Sequence, residues 1–439
     1  MGGTGGGDET RRRPEGGVLH EVVRRGWPEL AREVSLPPRV HGEVRRYLGC
    51  GQLARGFVQV QCDDCRASRL VAFSCKGRGW CPSCAAKRAL ESSTHLQDVL
   101  PRVGYRQWTL TLPRALRWMV RKQPGVVREV ERRLVRAVWR WQRAQARRLG
   151  VTAPLQGGAV GFLQLFGSAL QLTPHLHVLL PEGLWGDDGE WVPLPPPEDD
   201  AVEAVLHRLL RQLRATFAAL ESPWPEDAEE LLWAEAAQHR LPLEGDAAPK
   251  KKARRLARAL GFSLHADTAV HAFDRVGLQR LCGYGARGPI SEERLTRLPS
   301  GLYRWQPKRG PALTLTAVAL VKRLVALVPP RGLHLTCFHG VFAPNARLRR
   351  VVMQAPTPPP APVGTPAPVA KRRRLDWATA LQRTFGVDVW RCPCGGARRI
   401  RAVVTHLATA EAMLRSMGLM PPRAVLPLAH APPQLSLAF

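Results

Sequence analysis

An α+β protein built around a cysteine-rich metal module is what this sequence predicts, on three observations. Strand-like runs at 105–113 (YRQWTLTLP), 158–167 (GAVGFLQLFG), 170–183 (LQLTPHLHVLLPEG) and 262–273 (FSLHADTAVHAF) share the chain with long amphipathic helical stretches. Cysteines crowd residues 50–84 in pairs. A proline-rich spacer at 356–370 sets a small segment apart at the end of the 439 residues.

Taken in order, residues 1–17 are glycine-rich and charged and are expected to be a disordered tail. Residues 18–100 read as a helical stretch (18–49) followed by the cysteine module. The span 101–355 holds the strands listed above, with a long basic helix at 126–150 that ends at Gly150. Asp188-Gly189 between apolar pairs marks a hairpin in GLWGDDGEWVPLP. A helix at 201–221 buries Val205, Leu206, Leu209, Leu210, Leu213 and Phe217 on one face. PKKKARRLAR (249–258) reads as an exposed basic connection, and 274–289 as a short helix broken at its glycines. GLYRWQP is a strand, and ALTLTAVALVKRLVALVPP a strand running into a helix. Residues 371–439 would form a separate small basic module.

The 65 Lys and Arg against 36 Asp and Glu leave a net charge of +29. Such an excess repels itself in a compact state, so a polyanion is the expected partner and nucleic acid the leading one. A solvated basic surface is the plainer alternative. No apolar run reaches the roughly 18–20 residues a bilayer requires, because Lys322 and Arg323 interrupt the longest candidate. The N-terminus lacks the apolar centre of a signal peptide. The expected setting is therefore soluble and intracellular, with no membrane partner. There the ten cysteines serve as metal ligands or core residues rather than disulfides.

Cys62-x2-Cys65-x15-Cys81-x2-Cys84 fits the spacing of two knuckles converging on one tetrahedral zinc. A closed four-thiolate site stabilises a fold and does not activate water. Cys50 and Cys75 are left over, either as part of a second site with His41 or His20 or as small core residues. Cys392-Pro-Cys394 is half a site with no second pair after it, and Cys282 and Cys337 read as core thiols. Arg78, Trp80 and Lys87 beside the knuckles are a nucleic-acid contact or ordinary surface.

In TPHLHVLL, strand alternation puts His175 and His177 on one face with Cα atoms roughly 6.6 Å apart, while Leu176, Val178 and Leu180 enter a core. Paired imidazoles can hold a metal, and they can equally be polar residues on a half-wet strand. Phosphodiester cleavage needs charge neutralised on the phosphate and a nucleophile in line. A tyrosine supplies the latter through a covalent intermediate. Of four tyrosines, Tyr47 belongs to the zinc region, and Tyr105 and Tyr303 lie in apolar runs. Tyr284 shares a helix face with Arg280 and Arg287, four residues before it and three after. Gly283 and Gly285 each cost about 1 kcal/mol in a helix, so close approach of a backbone or a helix end is expected there.

Together, CDDC…FSCKGRGWCPSC, FGSALQLTPHLHVLLPEGLW, LCGYGARGP and FHGVFAPNARLR resemble, in that order, the insertion-sequence-91 group of rolling-circle transposases. The resemblance spans roughly residues 18–355. It implies a zinc module followed by a HUH (His-hydrophobic-His) nuclease domain, in which helices flank a central antiparallel sheet. It further implies that His175 and His177 bind Mg²⁺ or Mn²⁺, that Tyr284 attacks DNA, and that a third ligand exists. Gln164 is the candidate for that ligand, with Gln171 and Glu182 behind it. Arg280 stands where some members carry a second tyrosine, so the chain resembles the single-tyrosine branch. Arg287-Gly288-Pro289 replaces the relatives' Arg-Pro-Pro. The expected function is cleavage and rejoining of single-stranded or hairpin DNA ends and target. Arg280 and Arg287 would offset charge there, and Lys250, Lys251, Lys252, Arg254 and Arg255 would contact phosphates. A replication initiator or relaxase of the same chemistry, or a non-catalytic zinc-ribbon DNA-binding protein, are the alternatives.

Overall fold

A computed structural model describes residues 16–218, 233–234, 254–308, 310–353 and 375–419. Most of the expected tail, the spacer and the basic run 371–374 therefore lie outside the described residues, as do Lys250, Lys251 and Lys252. Two helices open the chain, α1 (Val18–Glu33) and α2 (Pro38–Leu48). A hairpin of β1 (Phe57–Cys62) and β2 (Ser68–Ala72) follows, then α3 (Pro82–Val99). The central part runs β3 (Tyr105–Thr111), α4 (Pro124–Arg148), β4 (Gly158–Phe166) and β5 (Leu172–Pro181). A small hairpin, β6 (Gly183–Trp185) with β7 (Trp191–Pro193), realises the Asp-Gly turn and leads into α5 (Asp199–Ala218). Next come β8 (Leu256–Ala259), β9 (Phe262–Val270) and α6 (Arg275–Ala286). A three-strand meander, β10 (Leu295–Arg297), β11 (Tyr303–Trp305) and β12 (Leu313–Leu315), precedes α7 (Ala317–Ala326) and β13 (Thr336–Gly340). The last described elements are α8 (Trp377–Phe385), β14 (Arg398–Val404) and α9 (Leu407–Ser416).

The main sheet has the order β13-β4-β5-β3-β9-β8, and every neighbouring pair is antiparallel. One face carries Trp108, Leu110, Leu163, Leu176, Val178 and Leu264 into the largest core. There they meet Val127, Leu134 and Val138 of α4 and Leu206, Leu209 and Leu213 of α5. The opposite face buries Tyr105, Val160, Phe162 and Leu179 against Leu96 of α3 and Leu278 and Cys282 of α6. α6 thus lies across the face on which the odd-numbered residues of β5 project. α1 crosses α7 closely enough that a Cβ on Gly26 would sit 2.5 Å from the Ala317 backbone, so only glycine fits.

Two expectations give way here, and one helix was not foreseen. The basic stretch at 249–258 is not wholly an exposed connection, because its last residues form edge strand β8 against β9. The segment 82–99 is a long helix that sequence patterning did not single out. The C-terminal segment does not stand apart in the described residues, since β14 pairs antiparallel with β1 to give a sheet β14-β1-β2. Beneath it, Val58, Val60 and Val71 pack with Ala378, Leu381, Phe385 and Val389. Among the described residues no helix is long and apolar enough to cross a membrane.

Candidate active site

Register fixes which side chains meet. Gln164 of β4 lies opposite His175 of β5, and Phe162 opposite His177. Across the other ladder, Thr109 and Thr111 of β3 face His177 and His175. Directly opposed residues project on one face, so Gln164, His175, His177, Thr109 and Thr111 form a polar patch on the side covered by α6. The imidazole rings are 4.8 Å apart and nearly perpendicular.

The bonding of these groups suits a cation. His175 donates Nδ1–H to Thr173 O at 2.8 Å, which leaves its Nε2 lone pair facing Gln164 Oε1 at 3.2 Å. Gln164 is held in that orientation because its Nε2 donates to Tyr284 O (2.6 Å) and Gly285 O (3.1 Å). Two lone pairs at that distance repel unless a positive centre lies between them. His177 Nδ1 is 3.1 Å from Thr109 Oγ1 and 3.1 Å from Gln107 Nε2, and its buried Nε2 has no partner among the described residues. A proton on Nδ1, accepted by Thr109, would free that Nε2 to bind a metal. Burial, then His175 and Arg287, push His177 down to about 3, and burial also lowers His175. Both rings therefore stay neutral, so protons do not compete with a cation at neutral pH. Two imidazole nitrogens and one amide oxygen could hold a divalent cation, the imidazoles suiting a transition ion and the amide oxygen a harder one. Gln171 and Glu182 are placed elsewhere. Gln171 Oε1 accepts from Ala169 N in the β4–β5 turn, and Glu182 pairs with Arg106 at 2.6 Å.

Tyr284 is the exposed tyrosine of the four, at 41%, whereas Tyr47, Tyr105 and Tyr303 are each at 1%. Its ring stands 5.5 Å from that of His177, at 83°. Arg287 caps α6 with extended backbone, stacks its guanidinium 4.3 Å above the Tyr284 ring and donates Nη2–H to the hydroxyl at 3.4 Å. The Arg287 Nε is buried without a partner among the described residues, and Lys308 Nζ lies 5.9 Å from the centre of the same ring. Arg280 is exposed one turn earlier. Gly285 is explained by packing, since a Cβ there would fall 2.7 Å from the Phe162 ring, while Gly283 meets Ser93 at an ordinary 3.6 Å. A cleft bordered by Arg78, Arg88, Gln164, Phe166, Arg287 and Pro329 links this site to the cysteine-rich module.

Other expected phosphate contacts fare differently. Arg254 is exposed, but Arg255 is 8% exposed and its guanidinium donates to Pro197 O (2.6 Å) and Asp267 Oδ1 (2.7 Å). Arg255 therefore ties β8 to the sheet and is not available to DNA. Trp80 is fully buried against Tyr47, Lys87 pairs with Glu91, and Arg78 donates to Leu333 O. Sequence reading missed Gln107 and Thr109, although their alternation with Trp108 and Leu110 marks a polar face.

The cysteines do not group as their spacing suggested. Cys62 and Cys65 do not converge on Cys81 and Cys84. Cys81 and Cys84 instead join Cys50 and Cys75, with Cys75–Cys84 at 3.3 Å and Cys50–Cys81 at 3.7 Å. Cys50 and Cys75 are thus cluster members. Cys62 and Cys65 meet Cys392 and Cys394. A strand hairpin intervenes between the first and second knuckles, turning Cys62 and Cys65 to its far end.

The family model "Transposase zinc-binding domain" matches residues 22–112, and "Putative transposase" matches residues 158–350. "Putative transposase y4qJ" of Sinorhizobium fredii is 26% identical over 359 residues, covering 78% of this chain and 84% of that one. No solved structure matches the chain. The buried thiol cluster formed by Cys50, Cys75, Cys81 and Cys84 lies wholly inside the zinc-binding match and is suited to structural Zn²⁺. With a zinc-binding domain and a transposase domain following one another along it, the chain belongs to the insertion-sequence-91-like family of transposases, enzymes that act on DNA.

Proposed function

We propose that the protein is a HUH-type transposase that cuts and rejoins single-stranded DNA at element ends through Tyr284. The observation that carries this reading is the exposed phenol set edge-on to His177, with Arg287 against its hydroxyl. His175, His177 and Gln164 would hold Mg²⁺ or Mn²⁺, which when bound polarises the scissile phosphate. Tyr284 Oη forms a bond to phosphorus, the P–O3′ bond breaks, and the phenol proton is made up at O3′. The products are a 5′-phosphotyrosyl strand and a free 3′-OH, and the reverse reaction joins that link to a new 3′-OH. Arg287 orients the phenol and offsets charge on the phosphate oxygens, with Arg280 close by on the helix. The cationic cleft bordered by Arg78, Arg88 and Arg287 suits a nucleic-acid backbone, while Arg78 and Arg88 each also donate to a backbone carbonyl, Leu333 O and Gly77 O. With Arg280 in place of a second tyrosine, one nucleophile serves each cleavage, and a free 3′-OH able to prime synthesis fits rolling-circle transfer.

The test incubates the protein with labelled single-stranded end oligonucleotides and Mn²⁺. An SDS-resistant adduct is expected from the wild type and from Tyr105→Phe, and none from Tyr284→Phe or from His175→Ala/His177→Ala. An adduct that survives Tyr284→Phe would overturn the reading. DNA binding with no adduct from any form would favour a non-catalytic zinc-ribbon protein.

A further inference from the structure

The geometry points to a second structural zinc, held by Cys62, Cys65, Cys392 and Cys394, that staples the C-terminal segment onto the N-terminal module. Neither matched span, 22–112 or 158–350, reaches residues 392–394, so half of this ligand set lies outside both. The four sulfurs lie within 4.8 Å of one another. Cys62 and Cys394 Sγ are 3.5 Å apart, and Cys65 and Cys392 Sγ 3.6 Å. Zn–S bonds of about 2.3 Å in a tetrahedron put sulfurs roughly 3.8 Å apart, whereas a disulfide requires about 2.05 Å. The spacing is that of thiolates around an ion.

The backbone around the cluster is shaped for it. Cys62–Cys65 and Cys392–Cys394 occupy two tight turns at the same end of the β1–β14 ladder, where Cys62 lies opposite Arg398. The turns are laced together by Asp63 N–H donating to Ala397 O at 3.0 Å. In the second turn, Cys392 N donates to Gly396 O and Gly395 N to Cys392 O, with Gly395 at φ +90°. A Cβ on Gly396 would fall 2.8 Å from Cys62 Sγ, so glycine leaves room for the sulfur. Arg398 directs Nη2 at Cys392 Sγ at 3.7 Å, which offsets thiolate charge. Cys65 and Cys394 are exposed, whereas none of the four thiols in the other cluster is, so this ion is open to solvent on one side.

The inference does not rest on the nuclease reading. Zinc is counted by atomic emission on the purified full chain, prepared reduced and without chelator. Two zinc ions per chain are expected, falling to one in Cys392→Ser/Cys394→Ser and returning to two in Cys394→His, which restores a ligand. Cobalt replacement should give tetrahedral thiolate bands whose intensity halves in the double variant. A variant-free measurement guards against misfolding. In native protein, Cys65 and Cys394 should resist iodoacetamide until a mild chelator is added, and then label together. One zinc in the wild type, two retained in the double serine variant, immediate labelling without chelator, or recovery of these cysteines as disulfides would each overturn the inference.

Discussion

Two glycines in α6 meet opposite surroundings, and that contrast separates packing from helix propensity. At Gly285 a Cβ would press on the Phe162 ring at 2.7 Å, and Gln164 grips the carbonyls of residues 284 and 285. Gly285→Ala should therefore destabilise the protein by about 1–3 kcal/mol in urea unfolding. The shift of α6 it forces should lower adduct yield roughly 10- to 100-fold, the cost of a misplaced nucleophile. Gly283→Ala has room against Ser93 and should gain up to about 1 kcal/mol with adduct yield unchanged. Arginines divide in a comparable way. Arg255→Ala leaves Asp267 and Pro197 O without their donor and should cost about 2–3 kcal/mol, with the salt dependence of DNA binding unchanged. Arg287→Ala should leave stability within about 1 kcal/mol but reduce adduct formation by roughly 100-fold, as loss of an oxyanion-type donor does. Sequence singled out Tyr284 because Tyr47 belongs to the zinc region and Tyr105 and Tyr303 lie in apolar runs, while Tyr284 shares a helix face with two arginines. It could not separate Arg255 from Arg254, since their difference lies in Asp267 and Pro197, which only the folded sheet brings near.

Among elements, the strands were legible where one face is apolar and the other polar. The row Gln107, Thr109 and Thr111 alternates with Trp108 and Leu110, and the row His175 and His177 alternates with Leu176 and Val178. α3 was not legible, because its buried positions are mostly small, with Ser83, Cys84, Ala85 and Ser93 facing inward. β8 was hidden because an edge strand pairs on one side only and tolerates the charges of Arg254–Arg258. The polar row of β3 carries a test of how the sheet serves the site. Thr109 Oγ1 is in reach of His177 Nδ1, so its loss should free the ring's tautomer and orientation without opening a cavity. Thr109→Val should weaken Mn²⁺ binding roughly 10- to 100-fold by titration calorimetry, the usual effect of removing a partner behind a metal-binding histidine. Zinc content and thermal midpoint should hold. Unchanged Mn²⁺ affinity would mean that Thr109 does not set the His177 tautomer.

Across the whole molecule, a late segment closes on an early one, which local spacing could not reveal. The Cys62–Cys84 pattern matched a single zinc because template spacing counts residues along the chain. The pairing of β14 with β1, more than three hundred residues apart in sequence, decides which thiols meet. That closure also rests on apolar packing independent of metal. α8 and the residues after it cover Val58, Val60 and Val71, while Val404, Ala410 and Leu414 cover Phe57. Each such side chain contributes about 1.5–3 kcal/mol when buried. A chain ending at residue 353 would expose all four together and leave β1 as an unpaired edge, an aggregation hazard. It should bind more of a hydrophobic dye and self-associate in sedimentation, even in excess zinc. Cys392→Ser/Cys394→Ser keeps the apolar cover and should instead remain monodisperse to the same extent as the wild type. If the Cys392→Ser/Cys394→Ser variant instead bound dye and self-associated as much as the truncated chain, the metal staple rather than the apolar cover would be what holds β14 and its neighbours to β1.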